Sequence, residues 1–134
     1  IFIQKVLNNE APQVFGDGSQ LRCFTYIADV ISGIETVRKK GSKGEAYNIA
    51  NTDQLTMKEL AELIIKISGK NLKPKIVGFG PETRAKERDI MKRVPSIEKL
   101  KALRWKPEIN IQEGIKRTYN WYKENLGKEE LFYE

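Results

Sequence analysis

Apolar positions along this chain follow two rhythms: helical spacings of three and four, and short dense runs of β-branched and aromatic residues. Residues 1 to 9 begin at once with an amphipathic pattern, Ile1-Phe2-Ile3-Gln4-Lys5-Val6-Leu7, and predict a helix stopped by Asn8-Asn9 and Pro12. Val14-Phe15 is a brief extended piece, and Gly16-Asp17-Gly18-Ser19 is a turn. The composition of Cys23-Phe24-Thr25-Tyr26-Ile27 predicts a short buried strand. From Asp29 to Lys40 the spacing of Val30, Ile31, Ile34 and Val37 predicts a helix with one buried stripe, closed by the cations Arg38, Lys39 and Lys40.

The second half repeats these signals. A loop at Gly41 to Gly44 leads to an expected strand over Ala46 to Ala50. Thr56 with Glu59 has the spacing of a capping box, for a helix running to about Ser68 that buries Leu60, Leu63, Ile64 and Ile67 and ends at Gly69. Lys75-Ile76-Val77 reads as a strand, whereas Gly78 to Ile90 is charged and aperiodic. Ser96 is placed to cap a helix over Ile97 to Leu103, and Pro107 prevents it from resuming. Asn110 with Glu113 opens the final helix, to about Leu126, with Ile111, Ile115, Tyr119, Tyr122 and Leu126 inward; residues 127–134 are expected to fray. The sum is a small α/β fold with short strands and four or five helices, one domain over residues 1–134.

Composition narrows the chemistry. With 40% hydrophobic and 31% charged residues the chain is globular, and one cysteine, Cys23, excludes an intramolecular disulfide framework. No apolar run is long enough to span a bilayer, so a cytoplasmic location is expected. The net charge of +6 suits an acidic metabolite, or nucleic acid if the cations were clustered, but apart from Arg38-Lys39-Lys40 they are dispersed. Absence of histidine removes the commonest general base and most zinc sites.

What chemistry remains centres on Phe15 to Asp29, FGDGSQLRCFTYIAD. Gln20 and Arg22 lie at spacing two beside the glycine turn, so in an extended chain they share a face. An amide and a guanidinium placed there suit an anionic ligand.

This segment resembles the (Y/F)GDGxQxRxFxYVxD run of the extended short-chain dehydrogenase/reductase family, the NAD-dependent nucleotide-sugar epimerases, dehydratases and decarboxylases. Three further blocks follow in the family's order: Tyr47-Asn48-Ile49-Ala50-Asn51, Thr56-Met57-Lys58-Glu59-Leu60-Ala61, and Arg93-Val94-Pro95-Ser96-Ile97 with Trp105-Lys106-Pro107 and Glu113-Gly114-Ile115. The resemblance implies the C-terminal, substrate-binding portion of such an enzyme, with the NAD-binding Rossmann half ahead of Ile1. It implies that Arg22 contacts the diphosphate, with Gln20 in the same loop, and that Gln13, Val14 and Phe15 run along the base and ribose. Arg93 would face sugar and phosphates and, in a decarboxylase, assist proton transfer; Arg84 and Arg88 are weaker candidates. For the intact enzyme it implies transient oxidation of a sugar C4 hydroxyl by NAD. The partners expected are a nucleotide-sugar and either the missing Rossmann half or a homodimer partner. Arg104 stands where the family commonly has glycine, so the helix end there is expected to close differently.

The cofactor's G-x-x-G-x-x-G run is missing, and no histidine is available for a Ser–His or Cys–His pair. Tyr119 and Lys123 have the family's catalytic Y-x-x-x-K spacing, but Tyr119 lies in the apolar stripe of the last helix and reads as core. The chain alone is therefore expected to bind a nucleotide-sugar and not to catalyse, with no NAD or metal of its own. The alternatives are a non-catalytic interaction module, marked by a large apolar patch, and a basic nucleic-acid-binding domain.

Overall fold

The computed structural model describes residues 1–78 and 90–126. Helix α1 (Phe2–Leu7) leads to strand β1 (Gln13–Phe15), then β2 (Leu21–Cys23), helix α2 (Ile27–Lys40), β3 (Gln54–Thr56), α3 (Met57–Ser68), β4 (Lys75–Val77), β5 (Lys92–Arg93), α4 (Glu98–Ala102) and α5 (Ile111–Asn125). Strands β1 and β4 pair in parallel, Val14 opposite Ile76. A second sheet has the order β3-β2-β5, with β3 antiparallel to β2 and β5 parallel to it. The expected aperiodic stretch from Gly78 to Ile90, with Arg84 and Arg88, and the expected frayed tail fall outside the described residues except for Gly78 and Ile90.

Two clusters bury the apolar side chains. One joins α1, α3 and α5 through Val6, Leu60, Ile64, Ile65, Ile111, Ile115 and Tyr119. The other joins Ala50, Ile97, Leu100 and Trp105, with Val37, Tyr47, Ile49 and Leu103 packed against it. Helix α3 starts as its sequence dictates: Glu59 N–H donates to Thr56 Oγ1 at 3.1 Å, and Thr56 N–H to Glu59 Oε2 at 2.7 Å. Its inner face lies slightly off the expected one. Ala61 and Ile65 are buried with Leu60 and Ile64, while Leu63 and Ile67 are half-buried. In α5, Asn110 Oδ1 caps Glu113 N–H at 2.9 Å, but the Glu113 carboxylate turns to Arg117 and does not return the bond. Ile111, Ile115 and Tyr119 are buried there, Tyr122 half-buried and Leu126 exposed.

Helix α2 departs most from its pattern. Ile31 and Ile34 are 56% and 53% exposed, and the buried residues are Asp29 and Gly33. A Cβ at Gly33 would lie 2.5 Å from Ile49 Cγ2, so the helix meets its neighbour on its smallest residue. Asp29 Oδ1 and Oδ2 accept the main-chain N–H of Glu108 and Ile109 at 3.0 and 3.1 Å. Ser32 accepts Trp105 Nε1–H at 2.9 Å. Polar anchoring, not an aliphatic stripe, sets this helix's rotation.

Three further expectations are corrected. Residues 46–50 are not a strand; Tyr47 and Ile49 alternate inward, but none of the described strands pairs with this segment, and the ladder with β2 is made by Gln54–Thr56. The strand expected over Cys23 to Ile27 sits at Leu21–Cys23, because Thr25 is drawn off to accept Asn51 N–H at 2.8 Å and helix begins at Ile27. The N-cap of α4 is Ile97, without a side-chain cap, and not Ser96, whose carbonyl takes Asn48 Nδ2–H at 2.9 Å.

Arg104, where a different closure was expected, closes α4 as a glycine would, at φ 64°. Its N–H donates to Lys101 O at 2.8 Å and Trp105 N–H to Leu100 O at 3.3 Å, the pair of bonds that defines a left-handed helix end. A side chain in that conformation costs about 1 kcal/mol. Arg104→Gly is accordingly expected to raise the thermal midpoint by about 3 °C, read by circular dichroism; no rise would mean the arginine side chain offsets its backbone strain.

Candidate functional site

The glycine turn is held from both sides. Gly16 and Gly18 take φ 69° and 77°, and Asp17 Oδ1 accepts Ser19 N–H at 2.9 Å. Gly16 N–H reaches Val77 O at 2.9 Å, tying the turn to β4. On the other side the first amides of α3 are taken up: Met57 N–H donates to Gln20 O and Lys58 N–H to Gly18 O, both at 3.1 Å. That helix start is thus a clamp on the turn and not an anion site. Gln20 is 4% exposed and donates Nε2–H to Phe15 O at 3.0 Å, so it braces the loop from within.

Beside the turn lies a cavity of about 770 Å³. Gln13, Val14, Phe15, Gln20 and Arg22 all line it, so the structure gathers five of the six sequence-derived site residues at one opening. Val14 is fully buried, whereas Phe15 is 43% exposed. The remaining walls come from α1, from Phe24-Thr25-Tyr26, and from Met57, Leu60 and Ile64 of α3. Ile109 to Ile111 with Gly114, Ile115, Thr118 and Tyr122 complete them. The lining is chiefly aliphatic and aromatic. Such walls favour weakly polar groups, and burying a charged group among them would be costly.

Arg93 does not line the cavity. It sits on β5 in register with Arg22 of β2. Register partners of a parallel pair project to the same face, with strands about 4.8 Å apart. The two arginines are therefore neighbours on one sheet face, one at the cavity wall and one outside it. Arg93 is exposed and is the last residue of β5. Arg22 is half-buried and its Nη1 donates to Leu21 O at 2.8 Å and Ile90 O at 2.6 Å.

Sequence reasoning missed the aromatic wall and its support. Tyr26 carries the Arg117 guanidinium 5.6 Å from its ring centroid, and its Cβ lies 3.2 Å from where a Cβ on Gly114 would stand. The alternation of Phe24 and Tyr26 about Thr25 was the available signal. Cys23, half-buried, has its thiol pKa pushed up, first by burial and then by the Asp53 charge, which argues against a nucleophile. Tyr119 is buried among core aliphatics and Lys123 is exposed, so the Y-x-x-x-K pair is not assembled as a unit facing the cavity. Among the described residues no His, Cys, Asp and Glu cluster could hold a metal, and no helix is long and apolar enough to cross a membrane.

A dinucleotide would need a glycine turn between a strand and a helix. Strand β3 runs directly into α3 under the Thr56 cap, and β2 reaches α2 through Phe24-Thr25-Tyr26. Strand β5 reaches α4 through residues 94–97, and among the described residues none of these three connections contains a glycine.

Residues 1–118 match the family model described as GDP-mannose 4,6 dehydratase. Human dTDP-D-glucose 4,6-dehydratase is 34% identical over 126 residues, which are 93% of this chain and 36% of that protein. The fold is similar to that of Thermotoga maritima UDP-glucose 4-epimerase solved with UDP-glucose, with a TM-score of 0.82 at 28% identity over 93% of this chain and 38% of that one. It is also similar to Bacillus anthracis dTDP-glucose 4,6-dehydratase in complex with NAD, with a TM-score of 0.81 at 27% identity over 94% of this chain and 39% of that one. This chain belongs to the GDP-mannose 4,6 dehydratase family, within the extended short-chain dehydrogenases/reductases that include NAD-dependent epimerases, dehydratases and decarboxylases. It spans a little over a third of the length of these relatives.

Proposed function

We propose that this chain is the nucleotide-sugar-binding portion of an NAD-dependent sugar epimerase, dehydratase or decarboxylase. The observation that carries the reading is Arg22 in the wall of an apolar cavity, with Arg93 in register beside it on the next strand. Like charges on neighbouring strands repel, and a diphosphate across them turns that cost into attraction. The base and ribose lie along Gln13, Val14 and Phe15, with Gln20 fixing the loop. The chain's share of the work is orientation: it holds the diphosphate at the edge and points the sugar outward. NAD is proposed for the intact enzyme and not for this chain, in keeping with the NAD complex of the Bacillus anthracis relative.

Titration calorimetry with UDP, dTDP and GDP tests this. At least one is expected to bind, and Arg22→Ala to weaken it about 10- to 100-fold, since a charge-assisted hydrogen bond contributes about 1.5–3 kcal/mol. No binding by any of the three, or equal binding by the variant, would sink the assignment. Steeply salt-dependent binding of a single-stranded oligonucleotide in their place would favour the basic nucleic-acid reading.

A second reading, a surface that docks another protein layer, is favoured by one observation. Ile27, Ile31 and Ile34 form an exposed apolar line on α2, at 60%, 56% and 53% exposure. It is compatible with the first, because docking uses α2 and ligand binding uses β1 and β2.

A further inference from the structure

We infer that Arg22 also fastens strand β5 to β2, so that Arg93 depends on Arg22 for its position and the two guanidinium groups act as one unit. Strand β5 has little burial to hold it. Lys92 and Arg93 are both exposed, and Ile90 and Met91 ahead of them are 46% and 53% exposed. Firm packing begins downstream, at Ile97 and Leu100, which are 2% and 0% exposed. At the upstream end the attachment is polar: Leu21 N–H donates to Met91 O at 2.8 Å, and Arg22 Nη1 donates to Ile90 O at 2.6 Å. The same Nη1 donates to Leu21 O at 2.8 Å. One nitrogen thus bridges a carbonyl of β2 and the carbonyl that leads into β5.

The chemistry of guanidinium makes this compatible with gripping an anion. Nη1 has two hydrogens, enough to serve both of these carbonyls. A planar fork of five N–H donors lets one nitrogen serve carbonyls while others face an anion. An ammonium has no such division of labour. Arg22 is a positioning residue for Arg93 as well as a proposed phosphate contact.

Amide hydrogen exchange of the ligand-free chain tests the bridge without using ligand at all. In Arg22→Ala the Leu21 amide is expected to exchange at least about five-fold faster, while the α3 core amides of Ile64 and Ile65 keep their rates. A smaller change at Leu21 with α3 unaltered overturns the inference. Should alanine also loosen α3, Arg22→Lys keeps the charge and replaces the planar fork; the same Leu21 threshold then decides. The second readout rests on the proposed nucleotide site: in a cycle of Arg22→Ala, Arg93→Ala and the double variant on UDP affinity, the double loss should fall short of the product of the single losses by about five-fold or more. Multiplicative losses would mean independent contacts. Absence of UDP binding to the unaltered chain would defeat the ligand assignment, and the Leu21 exchange rate would still judge the bridge.

Discussion

Asp29→Ala is expected to lower the unfolding free energy by about 2–5 kcal/mol, read from urea denaturation. The carboxylate is 3% exposed and receives two main-chain N–H groups from Glu108 and Ile109. Burying a charge is costly, but here the cost is offset by two charge-assisted bonds, and deleting the acceptor leaves two part-buried donors without that partner. Desolvation relief is the smaller effect. Asp29→Asn keeps one acceptor and turns an NH₂ toward the other N–H, so it should lose nearly as much as alanine. The damage should also reach the cavity, because Ile109 and Asn110 line it. A loss under about 1 kcal/mol would mean that water enters and satisfies both amides, and that α2 is held by packing instead.

The second large effect falls on the turn. Gly18→Ala is expected to cost about 2–4 kcal/mol, from two sources that can be separated. At φ 77° any L-residue is strained, and a Cβ there would stand 2.7 Å from Val14 Cγ1 and 3.0 Å from Lys58 Cβ. Both neighbours are close to the backbone of packed elements, so neither yields cheaply. Gly69 is the control: φ 68°, but nothing within 4 Å of an added Cβ. Gly69→Ala should therefore show the strain alone, about 1 kcal/mol. The excess at Gly18 measures the clash. If the two variants are equally stable, the turn accommodates the methyl, and its clamp between Val14 and α3 is looser than the distances indicate.

How far these features were legible in the sequence depended on how local their causes were. The Thr56–Glu59 box, Gly69 and the strand Lys75–Val77 are decided within a few residues, and they stand where the sequence puts them. Gln13, Val14, Phe15, Gln20 and Arg22 come to one cavity because a short turn carries all of them. Helix α2 was misread because periodicity counts aliphatics, whereas its inner face is fixed by Ile49 meeting Gly33 and by amides 79 and 80 residues away meeting Asp29. No local pattern encodes such an arrangement. Likewise, residues 46–50 have strand composition, but pairing depends on a neighbour, and β2 takes Gln54–Thr56. The adjacency of Arg22 and Arg93 is the least local feature of all. Only the resemblance to known enzymes put them on one ligand.

The two parallel pairings have a consequence for synthesis. Strand β2 meets its β5 neighbourhood across 68 residues, and β1 waits for β4 in the same way. Closing such long loops comes late, after helical turns have formed. During translation the β2 edge is therefore incomplete until β5 has left the ribosome, and a nascent chain released before Arg93 would hold the glycine turn without the second guanidinium.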